Sequence, residues 1–214
     1  MTGDWVTIEL LSATTVAGGQ PMAGEVDIEA EHDHLGLPYL GGKAVHALLR
    51  DTWLSMADQF APLAPAARRV LGRPRRLLDG AAVLNIGDAT VDEATMVAIR
   101  RAQQRPPQHH PLRPGDVLRA LTDIRTQTAE DRASGAPLSG SLRRSRVVLP
   151  GLSWFAPLGW VGNAPQPDDL RCLALCLLGT RHVGLARWRG RGHVRMTYRG
   201  DLTRTRELVE EAIA

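Results

Sequence analysis

The 214-residue sequence predicts a mixed fold of helices and strands, which we class as α+β. Three observations support this class. Apolar residues alternate with polar ones in several short stretches, and this is the period of a half-buried strand. Other stretches carry apolar residues three and four positions apart, as on one face of a helix. The extended stretches come in pairs between the helices, which favours split strand–helix–strand units over a doubly wound sheet.

The elements follow in chain order from these periods and from the residues that interrupt them. Residues 4–16 predict the first strand, and three glycines and a proline break it before a short acidic segment. Apolar positions then predict a helix that begins at Gly42 and ends near Met56. Four more helices are predicted, at 60–76, 92–104, 168–179 and 204–214, and the one at 168–179 is the most apolar. Strands are predicted at 81–91, at 122–131 and 141–160, which a turn-rich stretch joins, and at 192–199.

This order predicts a ferredoxin-like (RRM-like) split βαβ core that carries glycine-rich loops and a long inserted β-hairpin at about 122–160. A helical and loop region at about 57–115 is a further insertion, within which the proline-rich residues 105–115 are predicted to be loop. We expect residues 1–214 to form one domain.

Composition excludes several classes of protein. Hydrophobic residues make up 43% of the chain and charged residues 23%, which is ordinary for a globular protein. The chain has no run of 18 apolar residues and no secretory signal pattern, so we expect neither a membrane span nor secretion, and a cytoplasmic location. Cys172 and Cys176 lie four apart in the most apolar helix and are expected to pack as small apolar side chains; a metal or redox pair is the alternative.

Charge is unevenly distributed along the chain. Residues 1–99 carry 7 basic and 13 acidic groups, a net −6, whereas residues 100–214 carry 19 and 10, a net +9. Such asymmetry favours a polyanionic partner for one part of the molecule. Because a GC-rich genome also raises the arginine content of a protein, the positions of the arginines decide between the two explanations.

Two segments have features of nucleic-acid contact. Gly41 and Gly42 precede the only lysine, Lys43, at a predicted helix start, where backbone N–H groups can meet a phosphate; a plain tight turn is the alternative. His46 and Arg50 follow on the same side of that helix. The second segment combines arginine forks, glycines and a stacking tryptophan, and a solvated basic loop is its alternative. Its candidate residues are Arg181, Arg187, Trp188, Arg189, Gly190, Arg191 and Gly192.

The stretch GLPYLGGKAVHALLRD resembles the first-helix segment of the RAMP superfamily, the RNA-binding subunits of type III CRISPR effector complexes. The matching positions are Leu37, Pro38, Tyr39, Leu40, Gly42, Leu48, Leu49 and Arg50. Gly41 replaces a proline, His46 a lysine and Ala47 a glycine, so Lys43 is the substitute for the usual lysine contact. Residues 125–156 resemble the long central hairpin of the family, and RWRGRGHV resembles its C-terminal glycine-rich loop. The resemblance thereby adds Arg125, Arg143 and Arg144 to the expected RNA contacts.

The resemblance also implicates Asp27, which precedes Gly41 by 14 residues, as the aspartate of subunits that cut target RNA. A carboxylate there would hold a divalent metal, Mg²⁺ or Mn²⁺, or orient the attacking ribose 2′-hydroxyl. Glu25, Glu29 and Glu31 are expected on the wet face of a strand. A zinc site at residues 32–34 is disfavoured because adjacent strand residues point to opposite faces, and His109 and His110 are expected in solvent.

The leading hypothesis is therefore a subunit that binds guide RNA (crRNA) and cuts the paired target RNA with a metal. Its expected partners are these RNAs and other effector subunits, including copies of itself, with no membrane. Two alternatives remain open. One is a non-catalytic subunit that caps the 5′ handle of the guide, and the other is a metal-independent guide-processing ribonuclease whose general base would be His32, His46 or His182.

Overall fold

The structure is a computed structural model that describes residues 3–19, 25–72, 82–129, 135–136, 138, 140–162 and 164–213. Within these residues the chain forms eight strands and six α-helices. The strands are β1 (Asp4–Leu10), β2 (Ala17–Gly19), β3 (Glu29–Ala30), β4 (Leu84–Ile86), β5 (Thr122–Gln127), β6 (Arg143–Val148), β7 (Ser153–Trp160) and β8 (Val194–Tyr198). The helices are α1 (Gly42–Met56), α2 (Ala64–Leu71), α3 (Glu93–Gln103), α4 (Pro114–Leu121), α5 (Pro167–Gly179) and α6 (Leu202–Ile213).

Four strands form the central antiparallel sheet, in the order β4-β7-β1-β8. Its register places Ile8 of β1 between Trp154 of β7 and Met196 of β8. The connections β1–α1–β4 and β7–α5–β8 each join two parallel strands that have one other strand between them. The fold is thus a mixed α/β arrangement built on an antiparallel sheet.

The core lies between this sheet and the helices α1 and α5. Alternate residues of β1 (Val6, Ile8 and Leu10) are buried, as the period of the strand predicts. Helix α5 is apolar over two turns because it is enclosed, and its cysteines Cys172 and Cys176 are fully buried. A hydrogen bond with Cys172, together with burial, raises the pKa of Cys176 well above its usual value, so these thiols pack as small apolar side chains.

The boundaries of α1, α3, α5 and α6 agree closely with the sequence pattern. Helix α2 is shorter than the predicted 60–76, of which residues 73–76 lie outside the described residues, and α4 was not predicted. Helix α4 lies in and beyond the stretch predicted to be loop. Its first residue is Pro114, which suits the first position of a helix because that position needs no N–H donor. Asp116 then accepts a hydrogen bond from the backbone of Arg113 (3.1 Å). The proline is therefore a helix start rather than an interruption.

The inserted hairpin is shorter than its predicted bounds. It consists of β5 and β6 and ends at Val148, and the residues from Ser153 to Trp160 form β7 of the central sheet. Gly151 makes this change of sheet possible, since its φ of 88° lies in the left-handed region that side chains disfavour. None of the helices in the described residues is long and apolar enough to cross a membrane.

Candidate nucleic-acid interface

The hairpin and the second basic segment meet at one end of the central sheet. We call residues 181–192 the arginine loop. The chain that leaves β1 bonds to both: Thr14 exchanges backbone hydrogen bonds with Val148 of β6 (3.0 and 2.7 Å), and Thr15 accepts one from Leu185 of the arginine loop (2.9 Å). Two segments that are far apart in sequence are therefore fixed to consecutive residues.

Arginine side chains of both segments come close to one another. Partial burial and the neighbouring guanidinium groups of Arg125 and Arg189 lower the pKa of Arg191. A cavity of about 370 Å³ lies between Arg143 of the hairpin and Arg189 of the loop. Most of these arginines form no ion pair with any carboxylate of the described residues: Arg143, Arg181, Arg187, Arg189 and Arg191. These five arginines concentrate positive charge that no described carboxylate neutralises by an ion pair.

Trp188 is the most conspicuous side chain of the arginine loop, because 99% of its surface is exposed. It stands in a short 3₁₀ turn, Arg187–Arg189, whose flanking residues Ala186 and Gly190 both have left-handed backbones. An indole that is this accessible can stack on a nucleic-acid base. The turn thus presents an aromatic face between two cations.

The glycines of the arginine loop have different roles. A Cβ atom at Gly192 would lie 2.0 Å from the carbonyl oxygen of Val183, and the Gly192 N–H already donates to Ala13 O (2.9 Å). Gly192 is therefore buried in tight packing rather than presented to a ligand. Gly190 is exposed, with open space around it, and is accessible as the sequence predicts.

The predicted phosphate cradle at the start of α1 is already occupied by a carboxylate. Asp88 Oδ1 accepts a hydrogen bond from the Gly42 N–H (2.8 Å), so an anion at this helix end would meet a negative charge. A Cβ at Gly42 would lie 2.1 Å from the carbonyl oxygen of Ile86, which shows that this glycine permits close backbone packing. Gly41 is half-buried, and Lys43 is exposed beside it.

The remaining candidates on α1 are His46 and Arg50. His46 is half-buried, and its Nε2 is buried without a hydrogen-bond partner. Burial and the positive charge of Arg50 lower the pKa of this imidazole below its usual value. His46 is therefore a neutral, partly enclosed group near neutral pH rather than a phosphate-binding cation.

His182, another of the predicted histidine bases, lies in the arginine loop. It is exposed and stacks on His193 with ring centroids 5.3 Å apart.

Asp27 lies against the hairpin. Its N–H donates to Arg144 O (2.8 Å), and its carboxylate Oδ2 accepts from the Arg144 N–H (2.7 Å). The next residue, Ile28, forms a parallel bridge with Ser145. Asp27 is exposed at this position. The acidic segment thus follows β6 and holds one carboxylate among the arginines of the hairpin.

A buried arginine that the sequence analysis missed fixes this segment. Arg146 Nε donates to Glu29 Oε1 (2.6 Å) and Arg146 Nη2 donates to Glu25 Oε2 (2.8 Å), and a weaker contact reaches Thr122 Oγ1 (3.4 Å). The side chains of Arg146 and Glu29 are only 5% and 2% exposed. The prediction of a wet strand face is therefore wrong for Glu29. The sequence holds one indication that Arg146 is buried, because this residue directly precedes two apolar residues in a strand.

The carboxylates of the acidic segment are mostly committed to such contacts. Glu31 accepts from the hydroxyl of Tyr39 (2.8 Å), and Asp33 accepts from the backbone of Leu35 and Leu37 (both 2.9 Å). The described residues contain no group of three or more His, Cys, Asp or Glu side chains placed to hold a metal ion. Asp27 would therefore contribute a single protein carboxylate. That is sufficient for Mg²⁺, which commonly keeps several waters and binds one or two carboxylates together with substrate phosphates.

Comparison with known proteins identifies the fold. No protein-family model matches the chain, and no curated protein matches it. One similar chain occurs in the cryo-EM structure of the type III-B Cmr-beta bound to cognate target RNA, with a TM-score of 0.66, 11% identity, and coverage of 96% of this chain and 98% of that one. Another occurs in the Cmr-beta apo state, with a TM-score of 0.63, 12% identity, and coverage of 92% and 97%. The chain thus has the fold of subunits found in type III-B Cmr-beta structures over nearly its whole length.

Proposed function

We propose that this protein is an RNA-binding subunit of a type III CRISPR effector complex, with a ferredoxin-like core, and that guide RNA lies across the hairpin and the arginine loop. The observation that carries the proposal is the convergence of arginines from these two segments, of which Arg143, Arg189 and Arg191 pair with no described carboxylate. The connections β1–α1–β4 and β7–α5–β8, with their sheet order, support the ferredoxin-like part of the proposal. The similar chains come from Cmr-beta assemblies, one of which is bound to target RNA.

The chemistry of the surface favours single-stranded RNA over other polyanions. Guanidinium groups bind phosphate oxygens in a fork, and an exposed indole stacks on a base. An acidic protein would satisfy the arginines but would leave the fully exposed Trp188 without a flat partner. The pairing of cations with an aromatic face therefore suits RNA.

The RNA-binding proposal is tested by the double substitution Arg187→Ala with Arg189→Ala. These residues flank Trp188 and form no ion pair with a described carboxylate. Each phosphate contact contributes about 0.7 to the salt slope for a single strand, so the double variant should reduce that slope by about 1.4. The measurement is the dissociation constant for a single-stranded RNA at several salt concentrations.

A charge-matched control is available on the helices. Arg171 and Arg204 are both paired with Glu211, and the double substitution of these residues by alanine removes the same charge away from the arginine loop. Its salt slope should remain that of the wild type. Equal slopes for the two double variants would contradict the proposal.

We further propose that Asp27 takes part in cleavage of RNA paired to the guide. An exposed carboxylate at a basic surface repels a phosphate in the ground state, so a role in the transition state rather than in binding would suit Asp27. The carboxylate of Asp27 is anchored by Arg144 N–H and can orient a ribose 2′-hydroxyl for in-line attack. A Mg²⁺ or Mn²⁺ ion at Asp27 would supply stabilisation of the charge that develops on the phosphate.

The cleavage proposal is tested in the assembled complex with Asp27→Asn, which preserves size and removes charge. We expect loss of cleavage at the sites that this subunit contacts, with no loss of affinity for guide and target. Asp123→Asn is the control, because Asp123 is an exposed carboxylate on the same hairpin that pairs with Arg125 (3.2 Å). Chelation of divalent metal should also stop the wild-type reaction.

Other outcomes distinguish the rival functions. Wild-type cleavage by the Asp27→Asn complex would remove this residue from the mechanism. A complex that binds target RNA but does not cut it in the presence of any divalent metal would favour the capping role. Cleavage that persists in chelator and is lost in a His32, His46 or His182 variant would favour guide processing by a histidine base.

A further inference from the structure

We propose that the pocket at the outer edge of β8 binds a single nucleotide, with its phosphate against arginines and its base against an apolar wall. The pocket lies between β8, the end of α5 and the first half of α6, and we call it the β8 pocket. Its volume is about 330 Å³, at the small end of the range for ligand sites, which suits one nucleotide rather than a larger molecule.

The walls of the β8 pocket differ in chemistry. The apolar part consists of Leu11, Leu178, Val194, Met196 and Leu202. The polar part consists of Thr180, Arg181, His193, Arg195 and Arg206. Such a combination suits a ligand with a flat, weakly polar body and an anionic group, and a nucleotide has both.

Two of the arginines are free to receive an anion. Arg181 and Arg206 form no ion pair with any carboxylate of the described chain. Arg195 is partly committed, because its guanidinium lies 3.1 Å from the carboxylate of Glu9. Guanidinium groups bind phosphate oxygens with two parallel hydrogen bonds, so Arg181 and Arg206 are the expected phosphate contacts.

The edge of the sheet adds a backbone donor. Hydrogen bonds run from Leu11 N to His193 O and from Arg199 N to Trp5 O (both 2.8 Å), which shows that the odd-numbered residues here face β1. In an antiparallel ladder the intervening residues then direct their N–H groups outward, away from β1. Met196, which lines the pocket, is one of these residues.

The outward N–H groups on either side of Met196 are already used. Val194 N donates to Arg181 O (2.9 Å), and Tyr198 N donates to Thr205 Oγ1 (3.0 Å). Because β8 is an edge strand, no neighbouring strand of the described sheet pairs with the outward side of Met196. Its N–H therefore points to the side of β8 that carries the pocket and pairs with no described strand.

The β8 pocket adjoins the proposed RNA surface. Arg181 is both a wall of the pocket and the first residue of the arginine loop, and His193 follows the last. The source of the nucleotide, an RNA strand on that loop or a free nucleotide, thus rests on the proposed function. The existence of the pocket and its positive charge do not depend on the proposed function.

The test compares Arg206→Ala with Arg204→Ala in the full chain. Both residues lie on α6, but Arg204 is paired with Glu207 and Glu211 and does not line the pocket. Calorimetric titration with AMP and with inorganic phosphate measures the affinities. We expect AMP to bind more tightly than phosphate, Arg206→Ala to weaken AMP binding by about tenfold, and Arg204→Ala to change it by less than about twofold.

The following results decide the proposal and the source of the nucleotide. Absence of AMP binding at millimolar concentration, equal effects of the two substitutions, or equal affinities for AMP and phosphate would each overturn the nucleotide site. A loss of single-stranded RNA affinity in Arg206→Ala, beyond that in Arg204→Ala, would identify an RNA strand as the source. An effect on AMP without one on RNA would identify a free nucleotide. The Arg187 and Arg189 double variant should retain AMP binding, which separates this site from failure of the RNA proposal.

Discussion

Backbone atoms of Ile86 and Gly87 occupy the space where a side chain of Gly42 would lie. The same glycine donates its N–H to Asp88, so the residue holds the start of α1 against the chain that follows β4. Its neighbour Gly41 has no such crowding, and the atom nearest to a Cβ there is Asp88 Oδ1 at 3.9 Å. The two glycines of one motif thus have different physical requirements, although they are identical as letters in the sequence.

Gly42→Ala is expected to lower the free energy of unfolding by about 2 kcal/mol, because the added carbon forces a backbone shift that outweighs the higher helix propensity of alanine. Gly41→Ala should change it by less than about 0.5 kcal/mol, since its φ of −58° is accessible to any residue. Urea denaturation monitored by circular dichroism measures both values. Similar stabilities for the two variants would contradict the packing role of Gly42.

The acidic segment and β6 act as one element because Arg146 joins them. Its guanidinium contacts Glu29 and Glu25, which lie on either side of Asp27. The candidate catalytic carboxylate is therefore held by the hairpin rather than by the central sheet. Motion of the hairpin would carry Asp27 with it.

Glu29→Gln is expected to lower the free energy of unfolding by about 3 kcal/mol, since it removes one charge of a buried pair and leaves Arg146 poorly compensated. Glu9→Gln is the matched control, because Glu9 forms an exposed pair with Arg195 that should contribute at most about 1 kcal/mol. Chemical denaturation at pH 7 provides the comparison. An equally small loss in both variants would show that the Arg146 contacts do not stabilise the fold.

The whole molecule brings the hairpin and the arginine loop to one end of the sheet. Leu10, the last residue of β1, pairs with Val194, and Glu9 pairs with Ser153, so the hairpin and the arginine loop both leave the sheet there. Helices α2 and α3 contribute none of the residues that we assign to the interface. The arginines of the hairpin and of the arginine loop are thereby placed at the same end of the sheet.

Addition of single-stranded RNA should protect backbone amides of β5, β6 and residues 181–192 from hydrogen exchange, because bound RNA covers this end of the sheet. Peptides from α2 and α3 should exchange at the same rate with and without RNA. Mass spectrometry resolves these peptides in one experiment. Protection confined to α2 or α3 would place the RNA elsewhere and contradict the interface.

Much of the local structure could be predicted because it depends on near neighbours in the chain. The apolar period over 42–56 defines α1 with the observed bounds. Helix α4 is not predicted, because the prolines of residues 105–115 indicate a loop, although Pro114 suits a helix start. The arginines and Trp188 were identifiable from composition alone.

The sequence by itself therefore determined most of the elements and the residue types available for binding RNA. Only the tertiary structure decided which residues meet. Arg146 and Glu29 are 117 positions apart, and no periodic pattern of either segment reports their ion pair. Likewise, the packing of Gly42 against Ile86 and the outward N–H of Met196 depend on the partner strands. The physical reason is that local periods reflect interactions within a few residues, whereas ion pairs, close backbone contacts and sheet edges arise when distant segments pack together.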